Sequence, residues 1–201
     1  MSLFLAHARS SELYRELCRV PATGDGHLLE GTEDATAEAQ IEFIRWAFQR
    51  ARPDTIIEVG THKAMFGYLL SLLSERLVLH TIDSHLGAAQ AVELLNRGQS
   101  NVRCVFYPGD SREIFPSLKV TAGFAWVDGG HDTDISISDI LSCYRLRVPY
   151  VAVDDSAYPS VAAAIRYTTN HTTYRPISNP FAQHDRRRAV LLSLFEGGSD
   201  S

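Results

Sequence analysis

Cysteines are few, long apolar runs are missing, and no dense glycine cluster occurs; each shortage excludes a class of protein. Cys18, Cys104 and Cys143 are odd in number, far apart and without a CxxC pair, so neither a zinc ribbon nor a disulfide framework is expected. Reduced thiols and a cytoplasmic location are the plain expectation. The longest apolar stretches, residues 68–73 and 189–195, fall far short of the roughly 20 residues a spanning helix requires. Residues 3–6 lack the basic leader and the length of a signal peptide. Excess positive charge is absent as well. With 19 Lys+Arg against 24 Asp+Glu the net charge is −5, which favours solubility and gives no support for a polyanion such as nucleic acid as the main partner.

What is present reads as one globular domain over residues 1–201. Its composition, 45% hydrophobic and 21% charged, suits a buried core, with a remainder of about fifty residues beyond a typical domain. Apolar spacing predicts a helix in the first thirty residues, broken at 21–26, and a second carrying Ile41, Ile44, Trp46 and Phe48, capped by Thr32 or Asp34 and ended by Pro53. Strands are then expected at 55–59, 77–82, 102–107, 123–127 and 150–153. Helices are expected between them at 65–73, 87–96, 112–118 and 135–146, and after them at 159–169. Such alternation implies βαβ crossovers and a parallel sheet. The runs 172–177 and 189–195 have no helix between them, so they must form an antiparallel hairpin. The expected fold is therefore α/β: a Rossmann-like, doubly wound, mostly parallel sheet with a C-terminal hairpin. A helical extension, residues 1–52, precedes a core of 53–196.

In an open α/β sheet, ligands bind beyond the carboxyl ends of the strands. Acidic residues gather there in this sequence: Glu58 before Gly60-Thr61-His62-Lys63, Asp83, Asp110 before Ser111-Arg112, Asp128 before Gly129-Gly130-His131, and Asp154-Asp155. Singly, Asp83, Asp110 and Asp155 read equally well as helix caps. Five acidic strand ends on one rim repel one another unless something cationic binds. Gly60 permits close approach to the backbone, and position 64 is Ala where a second glycine is expected. Asp83 stands where a carboxylate accepts both ribose hydroxyls. A nucleoside-containing ligand fits, whereas the missing G-x-G-x-x-G turn disfavours a dinucleotide.

The run Glu58-Val-Gly60-Thr-His-Lys-Ala, then Asp83, Gly109-Asp110-Ser111 and Val127-Asp128-Gly129-Gly130-His131, resembles the class I S-adenosylmethionine-dependent methyltransferases over residues 35–196. Within that class it is similar to the small-molecule O-methyltransferases of the catechol, caffeoyl-CoA, cephamycin and macrolide-sugar types. The resemblance implies a class I methyltransferase fold and S-adenosylmethionine as cofactor. It places Glu58, Gly60, Thr61 and His62 around the methionine part, Asp83 at the ribose, Asp110, Ser111 and Arg112 by the adenine, and Asp128 beside the cofactor. It also implies a divalent cation, Mg²⁺ above all, held by Asp128, Asp154 and Asp155, an all-oxygen set that suits this ion. Because successive strand residues face opposite ways, Asp154 and Asp155 converge only if the strand ends there. His131 stands in the position of a general base, and an imidazole suits that work at neutral pH; the alternatives are a histidine that orients Asp128 and one that caps the helix after it.

The expected acceptor is a small hydroxylated molecule. Rivals are a metal-independent methyltransferase acting on a sugar, amine or nucleic acid, a nicotinamide-dependent oxidoreductase, and a non-catalytic nucleoside-binding subunit. His171 and His184 read as surface residues, and Arg186-Arg187-Arg188 as a solvated loop edge. Trp126 and Tyr158 either line an acceptor pocket or pack. A homo-oligomer is compatible with the sequence.

Overall fold

The computed structural model describes residues 3–21, 34–73, 76–98, 101–183 and 189–194. Seven β-rich segments form one sheet: β1 (Thr55–Val59), β2 (Leu77–Asp83), β3 (Val102–Pro108), β4 (Phe124–Val127), β5 (Tyr150–Val153), β6 (Arg175–Ile177) and β7 (Val190–Ser193). Their order is β3-β2-β1-β4-β5-β7-β6. The first five strands run parallel, and β7 pairs antiparallel with both β5 and β6. The expected hairpin is therefore present, with its second strand inside and its first at the edge. The chain winds outward from β1 to one side and from β4 to the other, so a crevice opens between the ends of β1 and β4.

Strand alternation gives the sheet two apolar faces. Ile56, Leu79, Phe124, Trp126, Ala152 and Leu191 meet α1 (Leu3–Ser10), α2 (Glu12–Cys18), α3 (Asp34–Ala51), α4 (Met65–Leu73) and α5 (Leu86–Gly98). Ile57, Val59, Ile82, Ala125, Val127, Val151 and Val153 meet α7 (Thr133–Arg145) and α8 (Pro159–His171), with the single turn α6 (Ser111–Ile114) at their margin. Each fully buried Leu, Ile or Phe contributes about 1.5–3 kcal/mol. The N-terminal helices share the first core: Leu5, Leu17 and Phe43 are fully buried in it. Tyr68 Oη donates to Ala8 O at 2.7 Å and Lys63 Nζ to Cys18 O at 2.9 Å.

Three local expectations change. The first helix is two, because Ser11 is extended (φ −68°, ψ 151°) and its Oγ accepts from the Tyr14 N–H to cap a new helix. The helix expected at 112–118 is one α turn followed by a 3₁₀ turn at Phe115–Ser117, where Pro116 has no N–H for an α-helical bond. The strand expected from 172 begins only at Arg175; Tyr174 is buried instead, its Oη donating to Val148 O at 2.7 Å. The break at 22–26, a cap from Thr32, His184 and the Arg186–Arg188 cluster lie outside the described residues. Among the described residues, no helix is long and apolar enough to cross a membrane.

Candidate active site

The turn after β1 is the most constrained piece of backbone at the crevice. Gly60 has φ +94°, and a Cβ there would come within 2.0 Å of the Asp128 carbonyl oxygen. Its freedom serves the close approach of the β1 and β4 ends rather than leaving space for a ligand alone. His62 (φ +46°) and Ala64 (φ +56°) follow in the left-handed region. Position 64 thus keeps the conformation of the glycine expected there, at a cost of about 1 kcal/mol or more for its Cβ.

Glu58 sits one residue inside β1 rather than on the rim, with 1% of its surface exposed. Thr81 Oγ1 donates to its carboxyl, and Thr61 Oγ1 is hydrogen-bonded to Thr81 in turn. Burial pushes the Glu58 carboxyl up to about 8, with the nearby Asp83 charge adding to this and the Thr81 bond opposing it. At pH 7 it is therefore mostly neutral, and only the remaining acids charge the rim.

An open cavity of about 320 Å³ lies beyond the strand ends, within the usual range for small-molecule sites. Val59, Gly60, His62, Asp83, Ser84, Gly109, Asp110, Ser111, Asp128, Gly129, Gly130, Ile135 and Asp139 line it. Asp83 Oδ1 accepts from the His85 N–H and Oδ2 from the His62 N–H, both at 2.7 Å. A carboxylate offers about four acceptor positions, so two remain for ligand hydroxyls. The cap and ligand roles of Asp83 are therefore compatible.

Asp110 follows the cap reading more closely. Its Oδ1 accepts from the Arg112 N–H at 2.9 Å, and the exposed Arg112 guanidinium folds back onto both oxygens. Those bonds hold its carboxyl down at about 2. Ser111 turns inward, and its Oγ donates to Asp139 Oδ1 at 2.6 Å.

Asp139 escaped the sequence reading. It lies on α7 with no exposed surface, and burial pushes its carboxyl up to about 6. The signal was a carboxylate on the apolar stripe Ser136, Asp139, Ile140, Cys143, spaced i, i+3, i+4, i+7.

At the other end of the crevice, donor atoms of Asp128, His131 and Asp155 lie within 4.8 Å of one another. His131 Nε2 is 2.9 Å from Asp155 Oδ2, and its ring stacks on Tyr158 at 4.8 Å and 20°. Asp155, two residues beyond the end of β5, takes φ +54°, a conformation Asp tolerates better than most side chains. Asp154 is not brought into the cluster: it is buried, and its Oδ2 accepts from Gln40 Nε2 at 3.4 Å. Of the three carboxylates expected on a cation, the structure groups Asp128 with Asp155, and His131 takes the third place. Trp126 is fully buried and stacked on Phe66 at 4.9 Å, so it packs; Tyr158 stays half exposed at the rim.

The strand order, the hairpin and the site at the β1–β4 crevice together define the class I methyltransferase fold. Three solved structures show the likeness. One, from Staphylococcus aureus and provisionally assigned as a caffeoyl-CoA O-methyltransferase, has a TM-score of 0.63 at 15% identity, over 95% of this chain and 96% of its own. The O-methyltransferase TomG of Streptomyces achromogenes, involved in tomaymycin synthesis and solved with S-adenosylmethionine, gives 0.57 at 16% identity over 98% and 91%. The N-methyltransferase NodS of Bradyrhizobium japonicum, solved with S-adenosylhomocysteine, gives 0.56 at 13% identity over 90% and 97%. At such identities the likeness is one of fold. No family model and no curated protein matches the chain.

Proposed function

We propose that the protein is an S-adenosylmethionine-dependent methyltransferase that methylates a hydroxyl of a small acceptor. One observation carries the reading: the backbone-anchored Asp83 and Asp128 line one cavity, and Asp128 also belongs to a cluster with His131 and Asp155 whose donor atoms lie within 4.8 Å of one another. A nucleoside carrying a reactive group needs the cavity and the cluster together. O- and N-methyltransferases share the fold, so the acceptor class rests on the chemistry of the cluster.

Asp83, fixed by two amides, holds the ribose hydroxyls. Gly60 and the tight turn through His62 set the wall beside the methionine part, and Asp128 borders both cofactor and acceptor. His131 takes the acceptor proton as general base, and Asp155 orients the imidazole and stabilises its protonated form. Tyr158 stacks on the ring and narrows its choice of orientations.

Two carboxylates and an imidazole also fit a divalent cation, with Mn²⁺ or Zn²⁺ suiting the nitrogen donor better than Mg²⁺ does. Such an ion supplies acidity to the acceptor hydroxyl when bound. Asp128 and Asp155 would hold it, with Asp154 behind them on Gln40. The convergence of all three donor groups favours a second reading in which His131 is itself a ligand. The N-terminal helices belong to the same catalytic unit, since they share a core with the sheet.

The test is stabilisation by S-adenosylhomocysteine but not by NAD(H), followed by methyl transfer to a panel of hydroxylated acceptors. Stabilisation by NAD(H) alone overturns the proposal. With His131→Gln, kcat should fall by about 10²-fold or more, at unchanged cofactor affinity. Turnover that persists in excess EDTA leaves the imidazole as base and removes the cation; loss restored by Mn²⁺ shows that a cation is required, and a weakened Mn²⁺ requirement in His131→Gln is then expected only if His131 is a ligand.

A further inference from the structure

The first residues of β1 and β2, at the opposite end of the strands from the crevice, border a second cavity that methyl transfer does not use. It is open and measures about 590 Å³, a size usual for small-molecule sites. Arg45, Phe48, Gln49 and Arg52 reach it from one stripe at the end of α3, spaced i, i+3, i+4, i+7. The left-handed backbone of Arg52 stops that helix, and its side chain is left for another use. Arg76, directly before β2, supplies a third guanidinium. Phe48 joins Leu73, the last residue of α4, and the buried Pro53 in an apolar lining.

In this lining three guanidiniums meet one carboxylate, Asp54. Arg45 is committed: it pairs with Glu42 at 2.9 Å, and its guanidinium lies 4.3 Å from the centre of the Phe4 ring. Arg52 and Arg76 are exposed and, among the described residues, make no ion pair and no side-chain hydrogen bond, not even with Asp54. Each guanidinium is a rigid fork that binds two oxygens of a phosphate at once. A bare phosphate would leave most of the cavity and all of its apolar lining unused. A phosphate joined to an apolar body uses both, and the Gln49 amide offers a donor and an acceptor to a polar group on that body. The carbonyl ends of α3 and α4 oppose an anion here, but their field fades within one turn, and the two arginines that follow those helices offset it. We propose that this cavity binds a small organic phosphate, its phosphate on Arg52 and Arg76 and its apolar body against Phe48, Pro53 and Leu73. The crevice repels the same ligand through Asp83, Asp110 and Asp128, so the two cavities select opposite charge.

The experiment is calorimetric titration of the full chain in low salt with 1-naphthyl phosphate, beside 1-naphthol and inorganic phosphate. The wild type should bind the ester at least about tenfold more tightly than either fragment, because charge-assisted bonds and apolar contact then act together. The affinity should fall as salt rises. Arg52→Gln and Arg76→Gln should each weaken binding about tenfold, and the double variant should bind the ester no better than it binds 1-naphthol. Arg147→Gln changes another exposed, left-handed helix stop, outside the cavity, and should leave binding unchanged. All three side chains are exposed, so the variants should fold, which thermal unfolding checks. Undetectable binding of 1-naphthyl phosphate by the wild type overturns the proposal without any variant; Arg52 and Arg76 then serve as counter-charges to the helix ends. Binding retained by the double variant, or lost equally in Arg147→Gln, overturns it too. Inorganic phosphate bound as tightly as the ester overturns it as well, since the apolar lining would then hold nothing.

Discussion

The two ends of the parallel strands use the same unusual backbone conformation for different purposes. On the side away from the crevice, Arg52 (φ +42°) and Arg147 (φ +57°) follow the last residues of α3 and α7. Arg147 closes a Schellman motif: its N–H donates to Tyr144 O at 2.9 Å, and the Val148 N–H donates to Cys143 O at 3.0 Å. These left-handed residues punctuate helices. At the crevice, His62, Ala64 and Asp155 are left-handed without ending any helix. Each lies next to a group of the candidate site, so the strain positions side chains and amides, the pattern expected where function sets the backbone.

The sharpest way to break this contrast is at Gly60. Gly60→Ala should cost about 5 kcal/mol or more, since both φ +94° and the 2.0 Å approach to Asp128 O oppose a Cβ. Denaturant unfolding measures it. A loss below about 1 kcal/mol would mean that the β1–β4 junction adjusts freely and that the crevice is not rigid.

The next effect is one of pH. The Glu58 carboxyl, ordinarily near 4.5, stands at about 8 in the folded chain, so the folded state keeps a proton that the unfolded state releases. Stability is then full below pH 4.5 and declines as pH rises toward 8. At about 1.4 kcal/mol per pH unit the loss is on the order of 5 kcal/mol. Asp139 adds a decline of the same sign between 3.8 and about 6. Glu58→Gln should flatten the upper part of the curve, leaving the variant more stable than wild type near pH 8. A parallel pair of curves would show that Glu58 is ionised in the folded protein.

Much of this architecture was legible because strands and crossover helices leave periodic apolar traces. The residues of β5, Tyr150–Val153, are those expected, and the hairpin followed from the lack of a helix between its strands. The rim acids were legible as a set but not in their individual geometry. Asp154 and Asp155 are adjacent and chemically identical. Only the left-handed turn at Asp155 decides which faces His131 and which faces Gln40. Asp139 left a trace, but a buried carboxylate on a helix gains meaning only when Ser111, 28 residues earlier, is seen to meet it.

The smallest predicted effect discriminates most finely between the two ends. Arg147→Gly removes a Cβ from a left-handed, exposed helix stop and should stabilise the chain by about 0.5–1 kcal/mol, with binding and turnover unchanged. Ala64→Gly relieves the same conformation at the crevice, where Ala64 is 1% exposed. The gain there is offset by the loss of a buried methyl, worth about 0.8 kcal/mol, so stability should move by less than about 0.5 kcal/mol. Its distinguishing effect should be functional. A looser 61–64 turn holds the His62 amide less firmly on Asp83, which should weaken S-adenosylhomocysteine binding several-fold. If Ala64→Gly instead stabilises as Arg147→Gly does and leaves binding intact, left-handed residues are punctuation at both ends. Ala64 would then be an ordinary residue standing where glycine fits better.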